Sequence, residues 1–270
     1  MSAGDLKIAV AGASGRMGRA LIEAVLRGEG VKLAAALEQK GNPHVGRDAG
    51  ELAGSPCGVK ISDDIGSAID GCDVLIDFTR PDGTLAHVAA CGRRGVRMVI
   101  GTTGFADLQR KQIAEAARGI AIAMAPNFSV GVNVMFHLLE VAAGSLGQGY
   151  DVEVFEAHHR HKVDAPSGTA LRMGEIVARV LGRDLGNSAI YGRQGVTGER
   201  KDDTIGFATV RGGDLVGDHS VMFMGTGERL ELTHRATSRD NYATGALRAA
   251  RFLMAKPSGL YDMADVLGFK

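Results

Sequence analysis

A mostly apolar run, Lys7–Ala11 (KIAVA), ends in the glycine turn GASGRMG, and helical periodicity begins directly behind it through Met17, Leu21, Ile22, Val25 and Leu26. Few folds accommodate a strand that passes into a helix through Gly12, Gly15 and Gly18. Small residues let backbone and ligand approach closely there, while the helix start supplies unpaired N–H groups and the positive end of its dipole. The spacing is a GxxGxxG form of the dinucleotide fingerprint, with Ser14 where GxGxxG has glycine. On their own, three glycines also fit a plain tight turn. A second strand, Val31–Leu37, gives way to Glu38, twenty residues past Gly18, where a carboxylate suits ribose hydroxyls. A solvated strand-end charge is the plainer alternative for Glu38. Arg16 and Lys40 offer cations for a 2′-phosphate, so the turn predicts a nicotinamide dinucleotide site open to NADH, NADPH or both.

The strand-like runs Asp73–Phe78, Arg97–Ile100 and Ile120–Ala125 alternate with helical patterns at Leu85–Cys91 and Leu108–Ala117. Short, nearly continuous apolar strands between amphipathic helices predict a parallel sheet covered on both faces. Two loops then fall at strand ends, GTTG (Gly101–Gly104) and APNFS (Ala125–Ser129), where small side chains suit a flat ring. After Phe128 the pattern changes. A long apolar helix is expected over Val130–Ala143, then strand Asp151–His158, helix Ser167–Leu181 and a glycine-rich loop, Gly182–Gly198. Runs Thr204–Arg211, Leu215–Phe223 and Glu228–Arg235 follow. Leu230 and Leu232 alternating with Glu231 and Thr233 predict an antiparallel sheet with one buried face. Asn241–Met254 returns to helical spacing. The expected fold is α/β: a Rossmann-type doubly wound parallel sheet in residues 1–129 and 241–270, and a second α+β domain with a mixed or antiparallel sheet in 130–240. Hinges are expected near Asn127–Ser129 and Arg239–Asn241.

A second cluster occupies Glu156–Ala170 (EAHHRHKVDAPSGTA), where three of the chain's 8 histidines lie within four positions. His158, His159 and His161 match no standard zinc spacing and no cysteine accompanies them, so no metal is expected. An exposed polar loop is the plain alternative. Histidine titrates near neutrality and donates protons, and lysine supplies a cation. Ser167, Gly168 and Thr169 open a helix whose first N–H groups, with the Thr169 hydroxyl, suit a carboxylate. Acid, cation and anion cradle within a dozen residues describe a site for a small acidic substrate.

The remaining composition narrows the class. Lys and Arg total 31 against 31 Asp and Glu, and a formal charge of zero argues against a nucleic-acid partner. No apolar stretch approaches a membrane span, and the opening MSAGDLK has no leader pattern. Cys57, Cys72 and Cys91 fit no disulfide framework, which points to a cytoplasmic protein.

GASGRMG, DFTRPDGT, IGTTGF, NFSVGVN, EAHHRHKVDAPSGTA, TGER, GTGERLELTH and SGLYDM together resemble the dihydrodipicolinate (4-hydroxy-tetrahydrodipicolinate) reductase family over essentially the whole chain. The resemblance implies an NAD(P)H-dependent oxidoreductase of the diaminopimelate route to lysine, reducing 4-hydroxy-tetrahydrodipicolinate to tetrahydrodipicolinate. It implies His158 as proton donor and Lys162 as second catalytic residue, with His159, Gly168 and Thr169 holding a cyclic dicarboxylate. Gly12, Ala13, Ser14, Gly15, Arg16, Met17, Glu38, Gly101, Thr102, Thr103, Ala125, Pro126, Asn127 and Phe128 would contact the cofactor. It also implies a homotetramer built through the second-domain sheets. Family members that take the 2′-phosphate often place arginine after the ribose-binding acid, whereas this chain has Gln39. Two other readings compete: a related amino-acid dehydrogenase, and a dinucleotide-sensing regulatory module without turnover. The latter leaves the His158–Thr169 segment idle.

Overall fold

The apolar runs of the first half form strands whose alternate residues face opposite cores. In the computed structural model, which describes residues 4–270, these elements are β1 (Leu6–Ala11), α1 (Arg16–Arg27), β2 (Val31–Leu37), β3 (Ile61–Ser62), α2 (Ile65–Ala68) and β4 (Val74–Asp77). α3 (Pro81–Arg94), β5 (Arg97–Ile100), α4 (Asp107–Ala116) and β6 (Ala121–Met124) follow. Met1, Ser2 and Ala3, part of the segment read for a leader, lie outside the described residues. Ile8 and Val10 of β1 and Val74 and Ile76 of β4 pack with Leu21, Ile22 and Val25 of α1. Ala9, Ala11, Leu75 and Met98 point the other way, onto Val88 and Cys91 of α3 and Ile113 of α4. Two-sided burial explains why these strands read as continuous apolar runs.

From Gly131 to Ser238 the chain forms a separate compact unit. Its elements are α5 (Val130–Leu146), β7 (Asp151–His158), α6 (Gly168–Val180), α7 (Leu185–Ser188), β8 (Ala189–Tyr191), β9 (Ile205–Arg211), β10 (Gly217–Gly225) and β11 (Glu228–Ala236). The sheet order is β11-β10-β7-β9-β8. β10 runs antiparallel to β7 and β11, but β9 runs parallel to β7 and β8, so the sheet is mixed rather than purely antiparallel. Part of the expected 182–198 loop is ordered as α7 and β8. Asp184 caps α7 through the Gly186 N–H, and three residues then complete the sheet edge. Met135, Leu139, Met173 and Val177 of the helices cover Val152, Val154, Ile205, Phe207, Val221 and Phe223. Leu230 and Leu232 share that face, but on an edge strand Leu230 stays 41% exposed.

The chain then returns to the first unit with α8 (Asp240–Leu253), β12 (Gly259–Tyr261) and α9 (Met263–Leu267). Ala243, Ala246, Ala249 and Ala250 bring α8 close to the α1 side of the sheet. SGLYDM supplies β12 and the cap of α9. Asp262 accepts from the Ala264 and Asp265 N–H groups, and the Asp265 carboxylate accepts from the Asp262 N–H. The seven strands are all parallel in the order β12-β6-β5-β4-β1-β2-β3. Connections leave β1 and β4 toward opposite edges, which makes the carboxyl ends of these two strands the topological switch point, where such sheets bind ligands.

Candidate active site

The glycine turn lies at that switch point. Gly12 has φ +68°, and a Cβ on Gly18 would stand 2.0 Å from the Gly12 carbonyl oxygen. Only glycine permits this approach of helix start to strand end. Ser14 does not leave its N–H free. Its N–H and hydroxyl both donate to Glu38 Oε1, at 2.8 and 2.6 Å, and Asn42 Nδ2 donates to Oε2 at 3.1 Å. Ala13 N–H is bound to Leu37 and Gly15 N–H to Gly12. Arg16 and Met17 open α1, so an anion cradle here rests on the first helical turn more than on the loop N–H groups. The backbone spacing, the absent Cβ at Gly18 and the anchored acid suit a dinucleotide. Arg16, Gln39 and Lys40 are exposed beside this acid's segment.

Next along the strand ends comes a fully buried carboxylate, Asp77 on β4. It accepts from Thr79 N–H (2.8 Å) and Oγ1 (2.6 Å), and His87 Nδ1 of α3 lies 2.7 Å away. Burial pushes this carboxyl up, but the His87 hydrogen bond and charge with the Thr79 donors outweigh it and hold it below the usual carboxylate range. Thr102 Oγ1 accepts from Thr84 and lies 3.4 Å from Asp77, so the network fixes the loop that carries Gly101, Thr102 and Thr103. A cavity of about 440 Å³ is lined by Thr102, Thr103, Ala125, Pro126, Tyr261 and Lys270. Asn127 accepts the Ser129 N–H, and buried Phe128 packs edge-on against Phe78 at 5.5 Å.

The histidine segment gathers a different kind of site. Strand alternation puts Glu156 and His158 on the helix-covered face of β7, beyond Val152 and Val154. Register brings Thr209 and Arg211 of β9 and His219 of β10 onto the same face. Glu156, 1% exposed, lies 2.6 Å from His158 Nδ1 and accepts both Arg211 Nη atoms at 2.7 Å. It also accepts the Ser167 N–H at 3.1 Å. Burial raises the Glu156 carboxyl, yet the His158, Arg211 and Ser167 hydrogen bonds prevail and hold it at about 2. Ser167 caps α6 through the Ala170 N–H and shares its hydroxyl with His219 Nε2 at 3.0 Å. Burial, with the neighbouring His158 charge, pushes His219 down to about 3. Lys162 pairs with Asp164 at 2.9 Å, and Gly168 and Thr169 form the adjoining helix start, with Gly168 exposed. His161 is exposed, and His159 is tied by its N–H to Leu215.

Residues 6–128 match the family description "Dihydrodipicolinate reductase, N-terminus" and 131–267 match "Dihydrodipicolinate reductase, C-terminus". The chain belongs to the dihydrodipicolinate reductase family. The 4-hydroxy-tetrahydrodipicolinate reductases of Nitrosomonas europaea and Cupriavidus necator are 63% and 64% identical over 265 residues, covering 98% of this chain and 99% and 100% of theirs. Among solved structures, a dipicolinate-bound dihydrodipicolinate reductase from Paenisporosarcina sp. superposes with a TM-score of 0.77 at 28% identity, covering 96% of this chain and 97% of that one. A probable dehydrogenase from Thermotoga maritima, at 14% identity and a TM-score of 0.59, shares the fold alone. The family's reaction is the NAD(P)H-dependent reduction of 4-hydroxy-tetrahydrodipicolinate in lysine biosynthesis through diaminopimelate.

Several network members escaped the sequence reading. Glu156 was legible in principle, because it shares strand parity with His158 and the buried Val152 and Val154. Arg211 and His219 carry no such signal, since only strand pairing brings them in. TGER and the 225–234 hairpin prove architectural: Arg200 binds Asp151 and Glu153 on the other sheet face, and Gly227 turns β10 into β11.

Proposed function

We propose that this chain reduces 4-hydroxy-tetrahydrodipicolinate to tetrahydrodipicolinate in the cytoplasm, residues 1–129 and 241–270 binding the dinucleotide and 130–240 the substrate. The observation that carries this reading is the Glu156–His158 pair beside the capped start of α6 and Lys162. Overall, the substrate gains a hydride and a proton and loses its hydroxyl as water. The glycine turn, Glu38 and the 101–103 and 125–128 loops would hold a nicotinamide dinucleotide, which would supply the hydride. His158 donates the proton from its ring. Lys162, steadied by Asp164, sets a cation against one substrate carboxylate, while Gly168, Thr169 and His159 hold the other. The dinucleotide is NADH, NADPH or both: Glu38 favours the ribose hydroxyls, and Arg16 and Lys40 remain to meet a 2′-phosphate.

A homotetramer through the second-unit sheet accords with its second face. Phe155, Met222, Met224, Val210 and Ile190 point away from α5 and α6, and among the described residues no element packs into a core with them there. Ion pairs Arg229–Glu231 and Arg193–Glu153 edge that patch. The three cysteines are free, as a reducing compartment requires, and among the described residues no helix is long and apolar enough to cross a membrane. The test is NAD(P)H oxidation on mixing the enzyme with aspartate semialdehyde, pyruvate and the synthase that joins them. Absorbance loss at either cofactor supports the reading; none with both overturns it.

A further inference from the structure

Glu156 does more than neutralise its neighbours. Its Oε2 meets His158 Nδ1, its Oε1 accepts the N–H of Ser167, whose hydroxyl caps α6, and Arg211 grips both oxygens. We propose that Glu156 is the positioning residue of this site, one carboxylate that locks the His158 ring and the start of the carboxylate-binding helix into a single piece. The inference rests on His158 being the proton donor.

Five features of the site support it. An ionised Glu156 accepts but does not donate, so Nδ1 of His158 carries hydrogen and Nε2 becomes the atom that gains and loses the transferred proton. Arg211 keeps the carboxylate from taking that proton itself, since its paired, five-donor guanidinium stabilises the charged form. The Nε2 edge is kept clear, because a Cβ on Gly217 would stand 2.9 Å from it. Arg211 also donates to the Asp164 carbonyl at 2.6 Å, which ties the Lys162–Asp164 pair to the same carboxylate. His219 contributes no second charge. Its ring lies edge-on to His158 at 5.0 Å and stays neutral while Ser167 holds it.

The sign of the pH effect follows from the groups around His158. Glu156 on its own strand and Asp164 on the following loop are anionic. Arg211 from β9 and Lys162 from the loop are cationic, with His219 from β10 and His234 from β11 beyond. Removing the Glu156 charge leaves cations in excess and disfavours protonated His158. In Glu156→Gln the alkaline limb of the kcat–pH profile therefore moves down by about 1–3 pH units, and kcat at pH 8 falls roughly 10–10³-fold. Cofactor affinity, read by nucleotide fluorescence, stays within about twofold because the dinucleotide site uses none of these groups. A merely structural Glu156 would lower stability yet leave the limb of the folded enzyme in place, and that result overturns the proposal.

Two further measurements decide the matter even where Glu156→Gln does not fold. Gly217→Ala crowds Nε2 and should lower kcat at least tenfold with its alkaline limb unmoved; full activity would mean that Nε2 is not the reacting edge. In ¹⁵N-histidine spectra of the wild-type chain, neutral His158 should appear as the Nδ1–H tautomer. An Nε2–H tautomer overturns the inference. The tautomer is read without turnover, so it tests the Glu156 tie independently of whether His158→Gln abolishes the reaction.

Discussion

Each unit of the molecule buries a carboxylate against a histidine, at nearly the same distance. Asp77 lies 2.7 Å from His87 and Glu156 lies 2.6 Å from His158. Both carboxyls are held below their ordinary range against the push of burial. Their surroundings differ. Asp77 reaches across to a helix, and threonine hydroxyls close its remaining valence, so the pair anchors the turn after β4 and the Thr102 loop. Glu156 pairs with a residue on its own strand, and the groups around that pair are a guanidinium, a lysine and a helix start. A buried acid–histidine pair thus anchors a turn in one unit, and in the other it lies among the groups assigned to the proposed reaction. What separates the two is whether the neighbouring groups satisfy one another or suit a ligand.

The largest expected effect tests that separation directly. His158→Gln should lower kcat by roughly 10²–10⁴-fold, with cofactor affinity within about twofold. His87→Gln should instead cost about 1–3 kcal/mol of stability by orphaning a buried acceptor, with kcat within about tenfold of wild type. Steady-state kinetics beside urea unfolding would show this double dissociation. Equal losses of turnover in the two variants would erase the distinction.

Acid should expose the anchoring role next. Both carboxyls have depressed folded values, so the stability they lend is full above their unfolded values and is lost as pH falls through the folded ones. For Glu156 that window runs from about 4.5 down to about 2. For Asp77 it lies below the ordinary 3.8. Asp77→Asn, which breaks a buried pair, should remove about 3–5 kcal/mol at neutral pH and flatten the dependence of urea midpoint on pH below about 4. A variant as pH-dependent as wild type would show that Asp77 is not ionised in the fold.

The two sites were also unequally legible. The glycine turn was readable because a backbone-built site requires residues of one size at fixed spacing, between a strand and a helix that periodicity reveals. The same backbone origin made it unspecific. The histidine segment was specific but incomplete, since Lys162 and Thr169 are local in sequence whereas Arg211 and His219 arrive through strand pairing more than fifty residues away. Parallel pairing of β7 with β9 was hidden for the same reason: alternation reports which face is buried, not the direction of the neighbouring strand. β8 and β12, three residues each, were too short to show a period, and pairing with β9 and β6 gives them their structure.

The smallest expected effect belongs to an exposed position at the first site. Glu38 is already engaged by Ser14 and Asn42, so its carboxylate is held in place at the proposed ribose site, and on that proposal the neighbour at 39 tunes tolerance of a 2′-phosphate. Gln39→Arg adds a guanidinium suited to that phosphate. Because the side chain at 39 faces water, solvent screening limits its worth to about 1 kcal/mol. The ratio of kcat/KM for NADPH to that for NADH should therefore rise only about three- to tenfold, and the gain should shrink between 0.1 and about 1 M salt as the screening length falls from about 10 to 3 Å. A salt-independent change would mean that the substitution acts by reshaping the turn. No change would leave discrimination to Glu38 alone, and the backbone-built site would then owe its selectivity to one carboxylate, as the side-chain-built site owes its organisation to Glu156.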